Sequence, residues 1–506
     1  MAKTNKQLEK LETGISGFDE ISIGGLPKGR TTMVVGTAGS GKTMFGIQFL
    51  AGGITKYGQG GVMVTFEEPR DDIIRNVRSL GWDLEQMTKD KKFAIVDASP
   101  VPGEELVEAG DYDLSALLAR IENAIKKVNA KRVVLDSIGA LIHQISDSNL
   151  VRREFHRIAV GLKKMGVTSI ITVERMEEHG ALSRLGVEEF VADNVVIIRN
   201  ILDIEKRRRS IEILKFRGAE HHKGDYPFTI DPEEGIMIIP LSSIALTQRS
   251  SSTRISSGNP ELDKMMHGGM FRDSIVLVSG ATGTGKTLMT TEFLKGAIEA
   301  GEKGLLFAFE ESHQQLLRNA ASWGVDYAKA EKDGLLKVVC RYPETLGLED
   351  HLIYMRREIE NFAPGRVAVD SLSALERVST RKAFREFVIG LTSHIKAKET
   401  AGFFTNTTSM LMGSESITET HISTITDSII MLRYVELFGE IRRGIVVLKM
   451  RGSFHDKTIR EYVIDETGMR IKGTFRNVSG ILGGAPVYDM GGERERVGDM
   501  FASGKT

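Results

Sequence analysis

The residues Gly36-Thr37-Ala38-Gly39-Ser40-Gly41-Lys42-Thr43 match the spacing G-x-x-x-x-G-K-[ST] at every fixed position. Glycines at these places let backbone N–H groups close around phosphate oxygens, and a helix starting at the lysine adds its positive dipole end. Gly39, Ser40, Gly41, Lys42, Thr43 and Met44 are therefore candidate nucleotide contacts. Lys42 would reach the β- and γ-phosphates, and Thr43 would hold Mg²⁺. The same pattern recurs at Gly280-Ala281-Thr282-Gly283-Thr284-Gly285-Lys286-Thr287, which is 244 positions later, and adds Thr282, Gly283, Thr284, Gly285, Lys286, Thr287 and Leu288. A chance match in a glycine-rich turn is the alternative. The context disfavours it, because Thr31–Val35 and Ser274–Ser279 read as buried strands and Met44–Leu50 as a helix.

Acids follow each loop. Glu67-Glu68 close the apolar run from Val62, and Glu310-Glu311 close the run from Leu305. A carboxylate at a neighbouring strand end can align a water or accept a hydroxyl proton in line with the γ-phosphate. Adjacent carboxylates repel, which raises one pKa; a solvated strand end is the plainer reading. Asp136 and Asp370 end later apolar runs, the position that orders the Mg²⁺ shell in phosphate-loop NTPases. Lys215 and Arg217, and Lys449 and Arg451, are spaced by two on strand-like runs, so each pair shares a face. Such cations stabilise a γ-phosphate as an arginine finger does, with the next subunit of a ring as one source. An exposed basic strand face is the alternative. The run Lys206-Arg207-Arg208-Arg209 lacks interleaved aromatics, so a solvated or interface role is favoured over nucleic acid.

These residues need a frame, and the frame is a repeat. The offset is 244 at the loops, 243 at the glutamate pairs and 234 from Asp136/Asp370 through Arg217/Arg451. The drop places an extra acidic segment, Val101 to Asp113, in the first copy, where it is expected as an exposed loop. Strands alternate with amphipathic helices, which predicts an α/β fold: two tandem domains, each a mostly parallel sheet flanked by helices. The expected division is residues 1–240 and 257–472, with a serine-rich linker at 241–256 and a glycine-rich mobile tail at 473–506.

Composition excludes several classes. The 506 residues carry a net charge of −1, so no global basic field draws the chain to nucleic acid or acidic lipid. One cysteine, Cys340, permits no internal disulfide and fits a reducing compartment. No signal peptide or bilayer-length apolar run is found, and a soluble cytoplasmic protein is expected.

With the loops, paired glutamates and tandem copies, the runs Ile417–Asp427 and Lys449-Met450-Arg451-Gly452-Ser453-Phe454-His455-Asp456 resemble the KaiC family of circadian-clock ATPases and autokinases. The resemblance covers roughly residues 10 to 480. It implies two RecA-like phosphate-loop domains in a two-tiered homohexamer, with ATP and Mg²⁺ between subunits. It implies slow hydrolysis in the first domain, and autophosphorylation on Ser423 and Thr424 in the second, reversed partly by return of the phosphoryl group to ADP. By matched position it implies nucleotide contacts at Ser79, Lys215, Phe216, Arg217 and His221 in the first domain. In the second they are Trp323, Arg443, Lys449, Met450, Arg451, Ser453, His455 and Lys457, with Thr43, Thr287 and Glu310 as metal positions. Ala219 departs from the family's hydroxyl residue. A KaiB-like partner on the first domain near the 101–113 loop and histidine-kinase output partners are implied. The tail after Gly484 does not match the segment that binds KaiA, which leaves that partner open. Aligned through Asp193 and Asp427, the acceptors correspond to Glu189 and Phe190, so the first copy has no hydroxyl there. A RecA-like DNA motor and a nucleotide-gated scaffold without turnover are the competing readings.

Overall fold

The protein is described here by a computed structural model covering residues 8–99, 114–139, 148–178, 192–203, 206–240, 250–408, 422–437 and 439–475, with 478–479, 481 and 487–488. The chain divides into two compact units, Met1–Ile244 and Ala245–Thr506.

In the first unit one sheet is built from β1 (Thr31–Gly36), β2 (Gly60–Thr65), β3 (Phe93–Asp97), β4 (Ala130–Asp136), β5 (Thr168–Glu174), β6 (Asn194–Asp203), β7 (Lys206–Phe216), β8 (Asp225–Asp231) and β9 (Gly235–Ile238). Their spatial order is β9-β8-β7-β6-β1-β5-β4-β2-β3. The strands from β3 to β6 pair in parallel, and β7, β8 and β9 add an antiparallel edge. The second unit repeats this with β10 (Ile275–Gly280), β11 (Gly304–Ala308), β12 (Leu336–Cys340), β13 (Arg366–Asp370), β14 (Ala401–Thr407), β15 (Ser428–Leu437), β16 (Glu440–Met450), β17 (Arg460–Asp465) and β18 (Gly468–Thr474). The order β18-β17-β16-β15-β10-β14-β13-β11-β12 is the same path through space. The α/β architecture expected from the sequence is thus present in both copies.

Central parallel strands are covered on both faces and must be apolar throughout. Every residue of β1 is buried. Alternation then sorts the side chains. Val34, Met63, Val134, Ile170 and Val196 pack with Phe45, Phe49 and Leu50 of helix α1 (Lys42–Tyr57). Met33, Val35, Val62, Val64, Val133 and Ile171 pack on the opposite face with Leu117, Ile121, Phe155 and Leu162. In the second unit, helix α2 (Lys286–Glu299) takes the place of α1.

A buried arginine braces each sheet. Arg132, at the head of β4, is fully buried. It donates to the carbonyls of Glu12 (2.6 Å), Thr13 (3.2 Å) and Phe49 (2.9 Å) and to Gln59 Oε1 (2.9 Å). Arg366 donates to Ser256 O (2.7 Å), Phe293 O (3.1 Å) and Glu302 Oε2 (3.2 Å). Each ties the segment leading into its unit to the helix behind the phosphate loop. Burial lowers the Arg132 pKa to about 10.

Residues 241–249 of the expected linker lie outside the described residues; Arg254–Ile255, also in that stretch, form a short strand with Met270–Phe271. Lys10–Leu11 pair likewise with Leu26–Pro27. Val478–Ser479 and Val487–Tyr488 pair within the stretch read as a tail. The 101–113 segment lies outside the described residues. Among the described residues no helix is long and apolar enough to cross a membrane.

Replacing Arg132 with Met keeps the volume but strands buried carbonyls, each costing about 1–3 kcal/mol. Arg132→Met is expected to lower the unfolding free energy of the first unit by about 2–4 kcal/mol, read from denaturant titration of the full chain.

Candidate nucleotide sites

The first phosphate loop leaves the carboxyl end of β1, where open α/β sheets bind ligands. Two glycines are required by geometry. A Cβ on Gly36 would sit 2.4 Å from Ser40 Oγ. Gly41 caps α1 at φ 105°, in the left-handed region. Gly280 and Gly285 stand in the same two positions, Gly285 at φ 98°. Lys42 Nζ lies back along its loop, donating to Thr37 O (2.8 Å), and Lys286 Nζ donates to Gly280 O (2.9 Å) and Ala281 O (3.0 Å). Burial pushes both amines down, opposed by carboxylates: among the described residues, Glu174, Asp136, Glu67 and Glu178 act on Lys42, and Asp370 and Glu310 on Lys286.

The acids converge from neighbouring strand ends. Asp136 Oδ1 accepts from Thr172 Oγ1 of β5. Asp370 Oδ1 accepts from Thr405 Oγ1 of β14 (2.5 Å), and the Asp370 carboxylate also accepts from the hydroxyl of Thr287. Burial raises the Asp370 pKa against these bonds and the charge of Lys286. Phe66 N–H donates to Asp136 O (3.0 Å) and Phe309 N–H to Asp370 O (2.9 Å), which locks each glutamate pair beside its aspartate.

The two glutamates of a pair are not equivalent. Glu67 accepts from Ser137 Oγ (3.3 Å), and Glu310 from Ser371 Oγ (3.0 Å) and Arg377 (2.6 Å). These are the members coupled to the loop lysines. Glu68 instead accepts from Asn76 (2.5 Å) and Glu311 from Asn319 (2.8 Å), both on the following helix. Burial raises the pKa of Glu68 and Glu311. Ser137, Ser371, Asn76, Asn319, Thr172 and Thr405 were not singled out from the sequence. A signal existed, since Asn76/Asn319 repeat at the offset of the glutamates, 243, and Ser137/Ser371 at 234.

The outer wall differs between copies. Asn200 of β6 donates to Gly39 O (3.4 Å), and its N–H meets Glu178, which also accepts from Thr37 Oγ1 (2.5 Å). At the matching position of β15, Tyr434 donates to Thr282 O (3.3 Å) and carries Arg443 over its ring. Trp323 ends the helix after Glu311 and packs on the core. Ser79 ends the matching helix in the first unit, its hydroxyl 3.5 Å from Asn76 O. Met44 and Leu288 pack into their cores behind the loops.

The remaining residues lie elsewhere. Ser428 pairs with Val276 at the start of β10 and with Met450 at the end of β16. Lys449, Met450 and Arg451 are therefore at the amino end of β10, while the phosphate loop follows its carboxyl end. At about 3.3 Å per residue, the run from Ile275 to Gly280 separates the ends by roughly 17 Å. The acceptor candidates are at this far end too. Lys449 Nζ donates to Ser423 O (2.6 Å) and Thr426 O (2.7 Å), and Arg451 to Thr424 O (2.6 Å). Asp427 anchors the corner, accepting from Ile275 N–H (2.8 Å) and Lys396 (2.8 Å). Ser453, His455 and Lys457 follow on the loop after β16. The first unit repeats the layout: Phe216 pairs with Asn194, opposite Thr32, Lys215 Nζ donates to Ala192 O (2.9 Å) and Arg217 lies 3.7 Å from Asp193. His221 lies beside the Phe216 ring and its pKa is lowered by burial. Glu189 and Phe190, the counterparts of the acceptors, lie outside the described residues.

The donor set at each loop fits ATP with Mg²⁺: an amine, half-buried at Lys42 and buried at Lys286, glycine-framed amides, a hydroxyl at Thr43 or Thr287, and a carboxylate at Asp136 or Asp370. Comparison with known proteins supports the ATPase reading. The family described as "ATPase: KaiC" matches at residues 11–243 and again at 255–474. The "Circadian clock protein KaiC3" of Synechocystis sp. is 61% identical over 494 residues, covering 98% of each chain. The "Circadian clock oscillator protein KaiC" of Thermostichus vulcanus is 56% identical over 96% of this chain and 93% of its own. That of Synechococcus elongatus is 54% identical over 95% and 92%.

Burial and Asp370 raise the Glu311 pKa while the Asn319 bond lowers it. Asn319→Leu removes the lowering contact, so the folded-state pKa rises further. A reaction that needs the carboxylate ionised is then lost earlier as the pH falls, and is kept above the raised pKa. The acidic limb of second-unit turnover is expected to move to higher pH, measured as rate against pH.

Proposed function

The chain belongs to the KaiC family of ATPases, and on that premise we propose that it is a two-tiered homohexameric ATPase and serine/threonine autokinase. The observation that carries this reading is the polarity of each sheet. A phosphate loop with its carboxylates stands at one end, and the Lys-Arg pair with its loop stands at the other. Neither end alone is a complete phosphoryl-transfer site. The amino end of one copy against the carboxyl end of the next makes one, and repetition of that contact closes a ring.

In the first unit the acceptor is water, aligned by Glu67 or Glu68. In the second, the hydroxyl of Ser423 or Thr424 attacks the γ-phosphorus of ATP held by the adjoining copy. The new O–P bond forms as the β–γ bridging bond breaks, ADP leaves, and Glu310 or Glu311 takes the hydroxyl proton. Lys449 and Arg451 hold the acceptor segment by its carbonyls and stabilise the transferring charge. The reverse transfer to ADP removes the phosphoryl group. Mg²⁺ on Thr43 or Thr287, with Asp136 or Asp370 and Glu310, would neutralise charge on the phosphates. Each phosphorylation adds about −1.5 to −2 charge beside these cations, a state that ring contacts can read. The relatives are named as circadian clock proteins. We extend to this chain a cytoplasmic timing or signalling role, with a KaiB-like partner on the first unit and histidine-kinase partners downstream; nucleic acid is not a partner in this reading.

Copies carrying Lys286→Ala lack one half of the second site, and copies carrying Arg451→Ala lack the other. Each alone is expected to lose most autophosphorylation from γ-labelled ATP, and the mixture to regain a substantial fraction. A mixture as inactive as its parts would refute the shared site. Ser423→Ala with Thr424→Ala should abolish labelling while first-unit hydrolysis continues; full labelling of the double variant would refute the acceptor assignment.

A further inference from the structure

The loop after β16 carries Arg451, Ser453, His455 and Lys457, and something must hold it. Arg254, on the short strand entering the second unit, does so. Its Nη1 donates to Met266 O (3.0 Å), at the C-cap of the helix Pro260–Met265, and to Gly269 O (2.6 Å), in the turn that follows. Its Nη2 donates to Ser453 Oγ (2.5 Å), and that hydroxyl donates onward to Phe454 O (2.9 Å). The guanidinium lies over the Phe271 ring, 4.4 Å from its centroid. One backbone bond, Asp456 N–H to Met265 O (2.8 Å), completes the attachment.

The first unit contains the same device in different chemistry. Lys10 is the counterpart of Arg254, 244 positions earlier, and Ala219 the counterpart of Ser453, 234 earlier. Lys10 Nζ donates to Ser22 O (2.5 Å) and Ile23 O (3.0 Å) at the end of the matching helix, and to Glu220 O (2.7 Å) of the matching loop. His222 N–H donates to Ile21 O (2.8 Å) as Asp456 does to Met265. A guanidinium presents its N–H groups in a rigid fork, so one arm can hold the turn while the other reaches a hydroxyl. An ammonium gathers carbonyls around one point, which suits a loop whose residue is alanine. The cation and its loop partner differ together: arginine with serine, lysine with alanine.

We propose that Arg254 is a positioning residue for phosphoryl transfer in the second unit, fixing Ser453 so that the loop presents Arg451, His455 and Lys457 to the nucleotide on the adjoining copy. This rests on the shared-site reading above. Arg254 does not touch the reacting atoms; it acts through Ser453. The mutated side of the interface is therefore the loop side, and the phosphate-loop side of the same copy stays competent.

The test uses full-length Arg254→Lys, which keeps a cation for the turn carbonyls but gives up the forked bond to Ser453. Loss of a charge-assisted bond predicts a roughly tenfold or larger fall in autophosphorylation rate. The double variant with Ser453→Ala should be no slower than Arg254→Lys alone. Arg254→Lys copies mixed with Lys286→Ala copies should regain activity; mixed with Arg451→Ala copies they should not, because both defects are on the loop side. A purely structural arginine would give additive losses and no such pairing rule, and either result overturns the proposal. If Arg254→Lys fails to assemble, Ser453→Ala is carried through the same mixtures, with the same outcomes deciding. Failure of the Lys286→Ala with Arg451→Ala control would strike the shared-site reading instead.

Discussion

A parallel sheet has two unlike ends, and each unit depends on that asymmetry. Six strands finish on one side, so their terminal acids and the glycine loop gather there. Helix α1 or α2 begins at the loop lysine and turns its dipole to the same spot. The antiparallel strands then carry the chain back to the other side. β7 and β16 therefore deliver their Lys-Arg pairs to the end that has no phosphate loop. The division follows from strand direction: phosphate loop and paired glutamates at one end, Lys-Arg pair at the other.

The copies keep this frame and change the chemistry on it. Among the described residues, Glu174, Asp136, Glu67 and Glu178 act electrostatically on Lys42, and Asp370 and Glu310 on Lys286. Asn200 covers the first loop with an amide, and Tyr434 covers the second with a phenol under an arginine. Behind the loops, Gln48 accepts from Ile236 N–H in the first unit. Glu292 accepts from Met469 N–H and Asn259 in the second, with its pKa raised by burial. Each exchange replaces one way of satisfying a buried donor with another, so backbone and register survive while local electrostatics diverge. The two repeated sites thus share a backbone frame but not a local electrostatic environment.

The cations that matter most to the architecture contact carbonyls more than acids. Arg132, Arg366, Lys10 and Arg254 each gather carbonyl oxygens from separate segments. A carbonyl accepts with two lone pairs and cannot be protonated away, so these joints hold over a wide pH range. They bind the segment entering each unit to the helix behind the phosphate loop and to the loop that leaves toward the far end. The two halves of the proposed shared site are thus connected through the body of the unit.

Much of this was determined by local sequence. The glycine loops at 36–43 and 280–287, the apolar strands around them and the aspartates ending β4 and β13 are contiguous patterns, each set by neighbours within a few residues. The repeat made them legible twice. Long-range pairing decided the rest. Asn76 is eight residues from Glu68, but its bond depends on how a helix turns back over a strand end. Arg132 opens an apolar run, where a charge normally points to solvent. Only the convergence of three distant segments on its guanidinium makes burial favourable. Above all, spacing put Lys449 and Arg451 on one strand face but not at one end of a sheet. That assignment needed the antiparallel register of β16 on β15, a contact between residues whose partners no local pattern specifies.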